Sequence, residues 1–251
     1  MANWVLITGA SAGIGEATAW KLAEAGHSLF LLARRSDRLQ KLKQAIEKKH
    51  SVAVRISTLD VRDEMQIQTF VKENECELKN LETLINNAGL ARGSDPFQTS
   101  KLDDWDQMID TNIKGLLYLT RALLPFLLAN QKGHIVNLGS VAGRWVYPGG
   151  AVYCATKHAV RAISEALRLD LLGKNIRVSN IEPGMVQTEF SLVRFESQDK
   201  ADQVYAGMKP LTADDIAETI AWVLNRPKHV NIQELVIYPT DQASVRDVWR
   251  K

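Results

Sequence analysis

The feature that most limits the possible folds is an alternation of short apolar stretches with longer amphipathic ones along the 251-residue chain. The short stretches are nearly continuous runs of apolar residues, as in strands that are buried on both faces. They predict strands at 4–8, 28–32, 52–58, 81–86, 134–138, 176–181 and 234–237. The stretches between them predict helices at 15–25, 38–49, 63–74, 102–128 and 152–172.

Strands of this kind form a parallel sheet when helices connect them and cover both of its faces. Because the crossovers are right-handed, the chain winds outward in both directions from the middle of the sheet. We therefore predict one α/β domain over residues 1–251, a Rossmann-type doubly wound parallel sheet of about seven strands with helices on both faces. In this architecture ligands bind at the carboxyl ends of the strands.

The composition disfavours several other classes of protein. Apolar residues make up 45% of the chain and the formal net charge is +2, so neither nucleic acid nor a membrane is expected as a partner. Two cysteines are too few for a disulfide framework, and the five histidines do not fall at metal-ligand spacing, so no metal site is expected. The apolar stretch 115–129 is too short to cross a bilayer, and no secretory signal is expected. These observations favour a cytoplasmic protein.

A glycine-rich turn follows the first predicted strand. Residues 8–15 read T-G-A-S-A-G-I-G and lead into a predicted helix. Glycines in such a turn let a pyrophosphate approach the backbone, and the helix N-terminus favours its negative charge. The turn predicts a dinucleotide site formed by Gly9, Ser11, Gly13, Ile14 and Gly15. The alternative is a purely structural turn.

The end of the second predicted strand indicates which dinucleotide binds. An acidic residue here would accept hydrogen bonds from the ribose hydroxyls of NAD. This chain instead has Ala33, followed by Arg34 and Arg35. Guanidinium groups bind a 2′-phosphate, which a carboxylate would repel. NADP is therefore the predicted cofactor, with Arg38 as a further ligand; the alternative is that these arginines are only solvated.

Two later turns extend the predicted cofactor site. Asp60 and Val61 follow the third predicted strand, where the Asp60 carboxylate can accept from the adenine amino group or cap a helix instead. Asn87, Ala88 and Gly89 follow the fourth, where glycine lets the backbone pass close to the adenosine ribose. A plain turn is the alternative for the second segment.

Tyr153 and Lys157 are the most informative pair of side chains. Their spacing of four places them on one face of a helix. A phenol is a poor base at neutral pH, but a neighbouring ammonium and the positively charged nicotinamide of NADP⁺ both favour phenolate. Lys157 can also hold the ribose hydroxyls next to the nicotinamide. Ser140, after the fifth predicted strand, supplies a hydroxyl that can donate to the substrate oxygen.

This combination resembles the classical short-chain dehydrogenase/reductase family. The resemblance rests on the T-G-x-x-x-G-x-G turn, the N-N-A-G turn at 86–89, Ser140 and the Y-x-x-x-K pair, and it covers nearly the whole chain. It implies that Asn112 completes a catalytic quartet with Ser140, Tyr153 and Lys157 through a proton relay to the lysine. It also implies that the turn after the sixth strand lines the nicotinamide through Pro183, Gly184, Val186 and Thr188.

Three segments narrow the resemblance, G-R-W-V-Y-P-G-G at 143–150, T-E-F-S-L-V-R-F at 188–195 and P-T-D-Q-A-S at 239–244. They resemble NADP-dependent 3-hydroxy acid dehydrogenases, a group that includes serine and allo-threonine 3-dehydrogenases and malonic semialdehyde reductases. The resemblance implies a small 3-hydroxy acid or semialdehyde as substrate. It also places a substrate-covering loop at about 185–210 and a C-terminal tail at about 238–251.

A substrate of this kind carries a carboxylate, which a guanidinium can bind in a bidentate pair. Arg194, in the substrate-covering loop, and Arg144, shortly after Ser140, are the predicted anchors. The alternative is an ion pair with a local acid such as Glu189 or Glu196.

Other functions remain possible on the same fold. A generic carbonyl or 3-oxoacyl-thioester reductase would share the catalytic quartet and the cofactor site. A non-catalytic NADP-binding regulator or scaffold would not need Ser140, Tyr153 and Lys157 together. A hydrolase that uses Ser140 is disfavoured because no G-x-S-x-G surrounds it.

The helices at 102–128 and 152–172 are apolar on more than one side, as in related enzymes that pair them between subunits, so a homotetramer is expected, with a dimer as the alternative.

Overall fold

The structure, a computed structural model, describes residues 3–251. The strands are β1 (Trp4–Thr8), β2 (Ser28–Ala33), β3 (Val54–Thr58), β4 (Leu81–Asn86), β5 (Gly133–Leu138), β6 (Ile176–Pro183) and β7 (Glu234–Ile237). The α-helices are α1 (Gly13–Glu24), α2 (Ser36–Lys49), α3 (Glu64–Glu73), α4 (Glu75–Leu78), α5 (Leu102–Ile109), α6 (Leu116–Ala129), α7 (Ala151–Asp170), α8 (Glu189–Phe195), α9 (Gln198–Tyr205) and α10 (Ala213–Leu224).

Within residues 3–251 the strands form one parallel sheet in the order β3-β2-β1-β4-β5-β6-β7. The chain winds from β1 toward β3, then returns to β4 and winds toward β7. The connections that leave β1 and β4 therefore diverge, and a crevice forms between them at the carboxyl ends. This arrangement confirms the predicted doubly wound sheet of about seven strands.

The buried residues of β1 show how the layers are held together. Successive strand side chains point to opposite faces of a sheet. Val5 and Ile7 pack in one apolar layer with residues of α1, α2 and α10. Trp4 and Leu6 pack in the other, with residues of α3 and α6. Both faces of β1 are covered, so the turn that follows it starts from a fixed position.

The prediction of one regular helix over 102–128 is wrong at its centre, where Asp110–Gly115 forms a π-helical segment between α5 and α6. Such segments are common at functional sites. Gly115 lies against the segment after β3, where a Cβ on it would be 2.6 Å from Val61 Cγ2. The whole stretch Leu102–Ala129 has the length and composition of a membrane-crossing helix, although α6 packs on the sheet through buried leucines.

The sequence pattern did not indicate α8, α9 and α10. A signal for α10 was present, because Thr212 and Asp215 form a capping box at its start. α8 begins after Thr188, whose Oγ1 accepts a hydrogen bond from the Phe190 N–H at 3.2 Å. α8 and α9 lie within the segment 185–210 that was predicted as a loop.

Candidate active site

A cleft of about 710 Å³ opens at the carboxyl ends of the strands, around the point where the strand order reverses. Most of the predicted cofactor and catalytic residues lie together along its walls. Those that line it are Gly9, Ser11, Gly13, Ile14, Arg34, Arg35, Asp60, Val61, Asn87, Ala88, Gly89, Ser140, Tyr153, Lys157, Pro183, Gly184, Val186, Thr188 and Arg194. Four predicted residues lie outside its walls, namely Gly15, Arg38, Asn112 and Arg144.

Backbone constraints shape the turn after β1. Gly9 and Gly13 have positive φ angles of 64° and 55°, which residues with a Cβ rarely adopt. A Cβ on Gly15 would lie 2.4 Å from the Gly9 carbonyl oxygen, so only glycine fits behind the turn. The N-cap residue of α1 is Ala12, and no side chain of residues 3–251 accepts a hydrogen bond from the first N–H groups of this helix. These N–H groups can therefore bind an anion. This glycine cradle fits the pyrophosphate of a dinucleotide.

The turn after β4 is bonded directly to the turn after β1. Asn87 Nδ2 donates to the Thr8 carbonyl oxygen at 2.8 Å. Thr8 Oγ1 accepts from the backbone N–H groups of Asn87 at 3.0 Å and Ala88 at 2.9 Å. The two turns therefore form one rigid floor under the predicted cofactor site.

The arginines after β2 are partly engaged by carboxylates. Arg35 donates from Nε to Ser11 Oγ at 3.2 Å and from Nη1 to Glu189 Oε2 at 3.0 Å. Arg38 Nη1 contacts Glu189 Oε1 at 2.7 Å. Arg34 Nη1 lies 4.0 Å from Asp60 Oδ2, and its side chain is 60% exposed. The positive charge expected for a 2′-phosphate is present, and Glu189, which the sequence reasoning did not assign to this end, faces it.

Asp60 lines the cleft, but its carboxylate is already bound by a neighbouring cation. Arg62 donates to Asp60 Oδ2 from Nη2 at 2.6 Å. Although burial opposes ionisation, this ion pair holds the pKa of Asp60 below its usual range. The carboxylate is thus ionised and oriented at neutral pH, so it can accept a hydrogen bond from a ligand.

The side chains predicted to be catalytic come from the segment after β5 and from α7. Tyr153 and Lys157 lie one helical turn apart on α7, and both are buried. Ser140, which follows β5, is close enough to Tyr153 to lower the pKa of its phenol, and its Oγ accepts the Ala142 N–H at 3.1 Å. Lys157 Nζ donates to the Leu138 carbonyl oxygen at 2.7 Å and lies 5.9 Å from the centre of the Tyr153 ring. The three groups predicted for acid–base chemistry therefore meet at one end of the cleft.

Burial acts on the pKa of Tyr153 against the two positive charges that were predicted to favour phenolate. Those charges are Lys157 and a bound nicotinamide. In the protein alone burial raises the pKa of Tyr153, and Ser140 and Arg194 oppose this only in part. Burial also lowers the pKa of Lys157 to about 8. The protein without ligand thus keeps Tyr153 protonated, and further positive charge is needed to form phenolate.

Asn112 lies in the π-helical segment and its side chain is fully bonded. Its Oδ1 accepts from the Leu90 N–H at 2.9 Å, and its Nδ2 donates to the Leu90 oxygen at 2.8 Å and to Thr156 Oγ1 at 3.1 Å. The amide therefore joins the loop after β4 to α7 beside the catalytic pair. These bonds hold the Asn112 side chain in a fixed position beside Tyr153 and Lys157.

Arg194 on α8 lies across the cleft from the catalytic pair. Its Nε donates to the Gly93 oxygen at 3.0 Å, and its Nη1 donates to Tyr147 Oη at 3.1 Å. Its guanidinium carbon is 6.0 Å from the centre of the Tyr153 ring. No carboxylate of residues 3–251 pairs with it, since Glu189 binds Arg35 and Arg38 and Glu196 binds Arg92. The local ion pair considered from the sequence is therefore not formed.

Arg144 does not take the position expected of a substrate anchor. Its guanidinium forms ion pairs with Glu182, which is completely buried, and with Glu234. Because β6 and β7 bring these acids beside the segment after β5, the prediction of Arg144 as an anchor is not supported by its position. Its charge instead compensates a buried carboxylate, whose cost in isolation would be several kcal/mol.

Tyr147 and Gln242 are among the residues that line the cleft but were not predicted. Tyr147 lies in the 143–150 segment that the sequence analysis singled out, and it bonds Arg194. Gln242 lies in the 239–244 segment, and its Oε1 accepts the Met185 N–H at 2.8 Å. A Cβ on Gly184 would lie 2.4 Å from that oxygen, so the tail packs directly on the turn after β6. Both motifs were visible in the sequence, but the contacts made by their side chains were not.

Comparison with known proteins agrees with this geometry. The short chain dehydrogenase family matches residues 3–199. The NADP-dependent 3-hydroxy acid dehydrogenase of Escherichia coli K12 is 45% identical over 241 residues, which cover 95% of this chain and 96% of that protein. Sulfoacetaldehyde reductase 2 of Chromohalobacter salexigens is 46% identical over 245 residues, 97% of this chain and 96% of that protein.

Solved structures give the same result. The closed form of serine dehydrogenase complexed with NADP⁺ is similar with a TM-score of 0.92 and 44% identity, over 99% of this chain and 100% of that chain. The serine dehydrogenase of Escherichia coli is similar with a TM-score of 0.82 and 40% identity, over 96% of this chain and 99% of that chain. The predicted resemblance is confirmed, and the chain belongs to the short-chain dehydrogenase family.

Proposed function

We propose that this protein is an NADP(H)-dependent oxidoreductase that transfers hydride between the cofactor and the carbon that bears the 3-hydroxyl group of small 3-hydroxy acids. The observation that carries the proposal is the position of Arg194, which has only neutral partners and lies 6.0 Å from the Tyr153 ring in the same cleft. A short substrate with its oxygen at Tyr153 would have its anionic group within reach of Arg194. Relatives named for 3-hydroxy acids and for serine support this class of substrate.

The cofactor is proposed on the fit of the cradle and of the arginines. When bound, NADP(H) supplies the acceptor or donor of the hydride. The residues that would hold it are Arg34, Arg35, Arg38, Asp60, Val61, Asn87, Ala88, Gly89, Gly9, Ser11, Gly13, Ile14, Gly15, Tyr153, Lys157, Pro183, Gly184, Val186 and Thr188. Gly15 and Arg38 do not line the cleft. Gly15 would contribute by allowing the turn after β1 to close, and Arg38 by its positive charge.

Tyr153 is the proposed proton donor and acceptor at the substrate oxygen. In reduction its raised pKa keeps the phenol protonated until that oxygen gains negative charge, and the proton then moves from Tyr153 Oη to the oxygen. The Ser140 hydroxyl donates to the same oxygen and stabilises its charge. In oxidation Tyr153 accepts the proton of the hydroxyl group, helped by the positive charge of Lys157.

The anionic group of the substrate is proposed to bind Arg194. Carboxylate and sulfonate are both oxyanions that a guanidinium can bind through two hydrogen bonds. A relative named sulfoacetaldehyde reductase is consistent with either group at this position. The main alternative, a generic carbonyl or 3-oxoacyl-thioester reductase, has the same catalytic residues but no need of an unpaired guanidinium beside Tyr153.

The test is a panel of substrates with both cofactors. We expect reduction of NADP⁺, and much slower reduction of NAD⁺, with L-serine, L-allo-threonine or 3-hydroxypropionate. Turnover of acyl thioesters without turnover of free hydroxy acids would replace the proposal with the alternative. Equal rates with NAD⁺ would contradict the role of the arginines.

We further propose that the protein is a cytoplasmic homotetramer in which residues 185–210 cover the substrate. The long helices present exposed apolar side chains, with Leu117 41% and Leu169 61% exposed, and Leu172, just after α7, is 83% exposed. Such a surface is unusual for a face that stays in water. Sedimentation of the pure protein at micromolar concentration tests this, and a monomer would contradict it.

A further inference from the structure

Glu189 connects two parts of the cleft that sequence motifs treat separately. It is the first residue of α8, the helix that also carries Arg194. Its carboxylate binds Arg35 Nη1 at 3.0 Å and Arg38 Nη1 at 2.7 Å. These two guanidinium groups belong to the segment after β2, more than 150 positions earlier in the chain. One carboxylate thus occupies two of the three arginines at the adenosine end.

The surroundings of Glu189 make this an exchangeable contact. The side chains of Arg35, Arg38 and Glu189 are each between 42% and 44% exposed, so water and other ions reach them. Glu16 on α1 faces the same group of charges, where burial raises its pKa and Glu189 adds to that effect. The two arginines and Glu189 together carry one net positive charge, and Glu16 reduces it further when ionised.

We propose that Glu189 competes with a 2′-phosphate for Arg35 and Arg38, and that a 2′-phosphate displaces it and releases the start of α8. The proposal rests on the proposed function, because it takes these arginines as the 2′-phosphate site. A phosphate monoester carries a charge of about −1.5 to −2 at pH 7, against −1 for a carboxylate. Two guanidinium groups are therefore neutralised more completely by the phosphate than by Glu189. A nucleotide without this phosphate leaves the Glu189 contacts in place.

Displacement of Glu189 would alter α8 at one end only. The other end is held by Arg92, which donates from Nη1 to the Val193 oxygen at 2.9 Å and to Glu196 Oε1 at 2.8 Å. Phe190, next to Glu189, lies 5.8 Å from Tyr153 between ring centres. Movement of the first turn of α8 therefore reaches the catalytic tyrosine. In this way Glu189 makes the substrate-covering helix sensitive to the phosphate that distinguishes NADP from NAD.

The test uses two nucleotides and two matched variants of the whole protein. Adenosine 2′,5′-bisphosphate carries the phosphate in question, and 5′-AMP lacks it. Glu189→Gln removes the carboxylate that binds Arg35 and Arg38. Glu196→Gln removes a carboxylate from the opposite end of α8 without touching Arg35 or Arg38. Calorimetry measures both affinities, and hydrogen exchange of the amides in 185–197 reports the state of α8.

In the unmodified protein we expect the bisphosphate, but not 5′-AMP, to increase exchange in the first turn of α8. In Glu189→Gln this exchange is already high without ligand, and affinity for the bisphosphate rises about two- to fivefold, as expected when an exposed competing ion pair is lost. Affinity for 5′-AMP is unchanged. Glu196→Gln keeps the ligand-dependent increase in exchange.

Three results would overturn the inference, and they differ in what else they affect. If the unmodified protein binds both nucleotides equally, the 2′-phosphate site fails and the proposed cofactor preference fails with it. If it prefers the bisphosphate but Glu189→Gln changes neither that affinity nor the exchange of α8, the cofactor site stands and only the role of Glu189 is wrong. A loss of bisphosphate affinity in Glu189→Gln would show that the carboxylate supports phosphate binding, which also contradicts the inference.

Discussion

The turn after β1 and the start of helix α8 pack against each other, since a Cβ on Gly13 would lie 3.3 Å from Thr188 Cβ. The two regions are held by different interactions. The turn depends on positive φ angles and close backbone contacts, for which only glycine is suitable. α8 depends on arginines from remote segments, Arg35 and Arg38 at its start and Arg92 at its end. The turn could be assigned from spacing alone, whereas the partners of α8 became clear only in the folded protein.

The largest effect is expected for Tyr153→Phe. This change removes the hydroxyl proposed to transfer the proton and leaves the turn after β1 and helix α8 unaltered. Loss of the proton donor should lower kcat by about 10²- to 10⁴-fold. Because the ring and its burial are kept, affinity for NADP(H) should fall by no more than the one hydrogen bond that the hydroxyl can make to the cofactor, roughly tenfold. Steady-state rates and cofactor titration measure the two quantities. A variant with full turnover would remove Tyr153 from the mechanism.

The pH dependence of stability tests the buried end of the site. The pKa of Lys157 is lowered from 10.5 to about 8 in the folded protein. Between these values the unfolded chain binds more protons than the folded protein, so Lys157 makes the free energy of unfolding rise with pH across this window. Below pH 8 both states hold the proton and the cost of burying the charge is fully present.

Lys157→Met removes this titration and keeps an apolar chain of similar length. Its stability relative to the unmodified protein should therefore fall by about 3 kcal/mol between pH 7 and pH 10.5, from roughly 1.4 kcal/mol per unit of pKa shift. The unpaired Leu138 oxygen in the variant costs the same at both pH values and cancels. Urea unfolding at the two pH values measures the difference. A constant difference would mean that Lys157 titrates normally.

The same contrast explains how far the sequence allowed prediction. Gly9, Gly13 and Gly15, and the pair Tyr153 and Lys157, were assigned because each set acts through positions adjacent on one turn or one helix face. The sheet followed from periodicity, which is also local. Burial is not visible in a motif, and for that reason the rise that it causes in the pKa of Tyr153 was not anticipated.

Ion pairs between residues far apart in the chain were the other feature that could not be predicted from the sequence. Arg144 and Arg194 were equal candidates as anchors, because nothing near either residue in the chain shows which acids it meets. Folding places Glu182 and Glu234 beside Arg144 and leaves Arg194 with neutral partners. The π-helical segment around Asn112 was likewise hidden, since its contacts with Leu90 and Thr156 join three separate segments.

Arg194→Ala tests the contribution of α8, by asking whether its guanidinium binds the substrate anion. Removal of a charge-assisted hydrogen bond to the substrate anion costs about 1.5–3 kcal/mol, so kcat/KM for hydroxy acids should fall roughly 10- to 100-fold. Cofactor affinity should change little, because the guanidinium lies at the opposite end of the cleft from Arg34 and Arg35. Arg246→Ala, an exposed arginine in the tail without an ion pair among residues 3–251, is the matched control. Equal losses with an uncharged ketone would show that Arg194 shapes the cleft and does not bind the anion.

Gly15→Ala tests the contribution of the turn after β1, and its expected effect on the protein is the smallest of the four. The new Cβ would meet the Gly9 carbonyl oxygen at 2.4 Å, so the turn must shift. Overpacking of this kind costs about 1–3 kcal/mol, and we expect roughly tenfold weaker binding of NADP(H) together with lower stability. Gly26→Ala separates the two consequences. Gly26 has a positive φ of 83° but no atom within 4 Å of a new Cβ, so Gly26→Ala should lower stability without lowering cofactor affinity. If both variants bind NADP(H) equally well, close packing behind the turn is not what shapes the site, and the contrast with α8 would not hold.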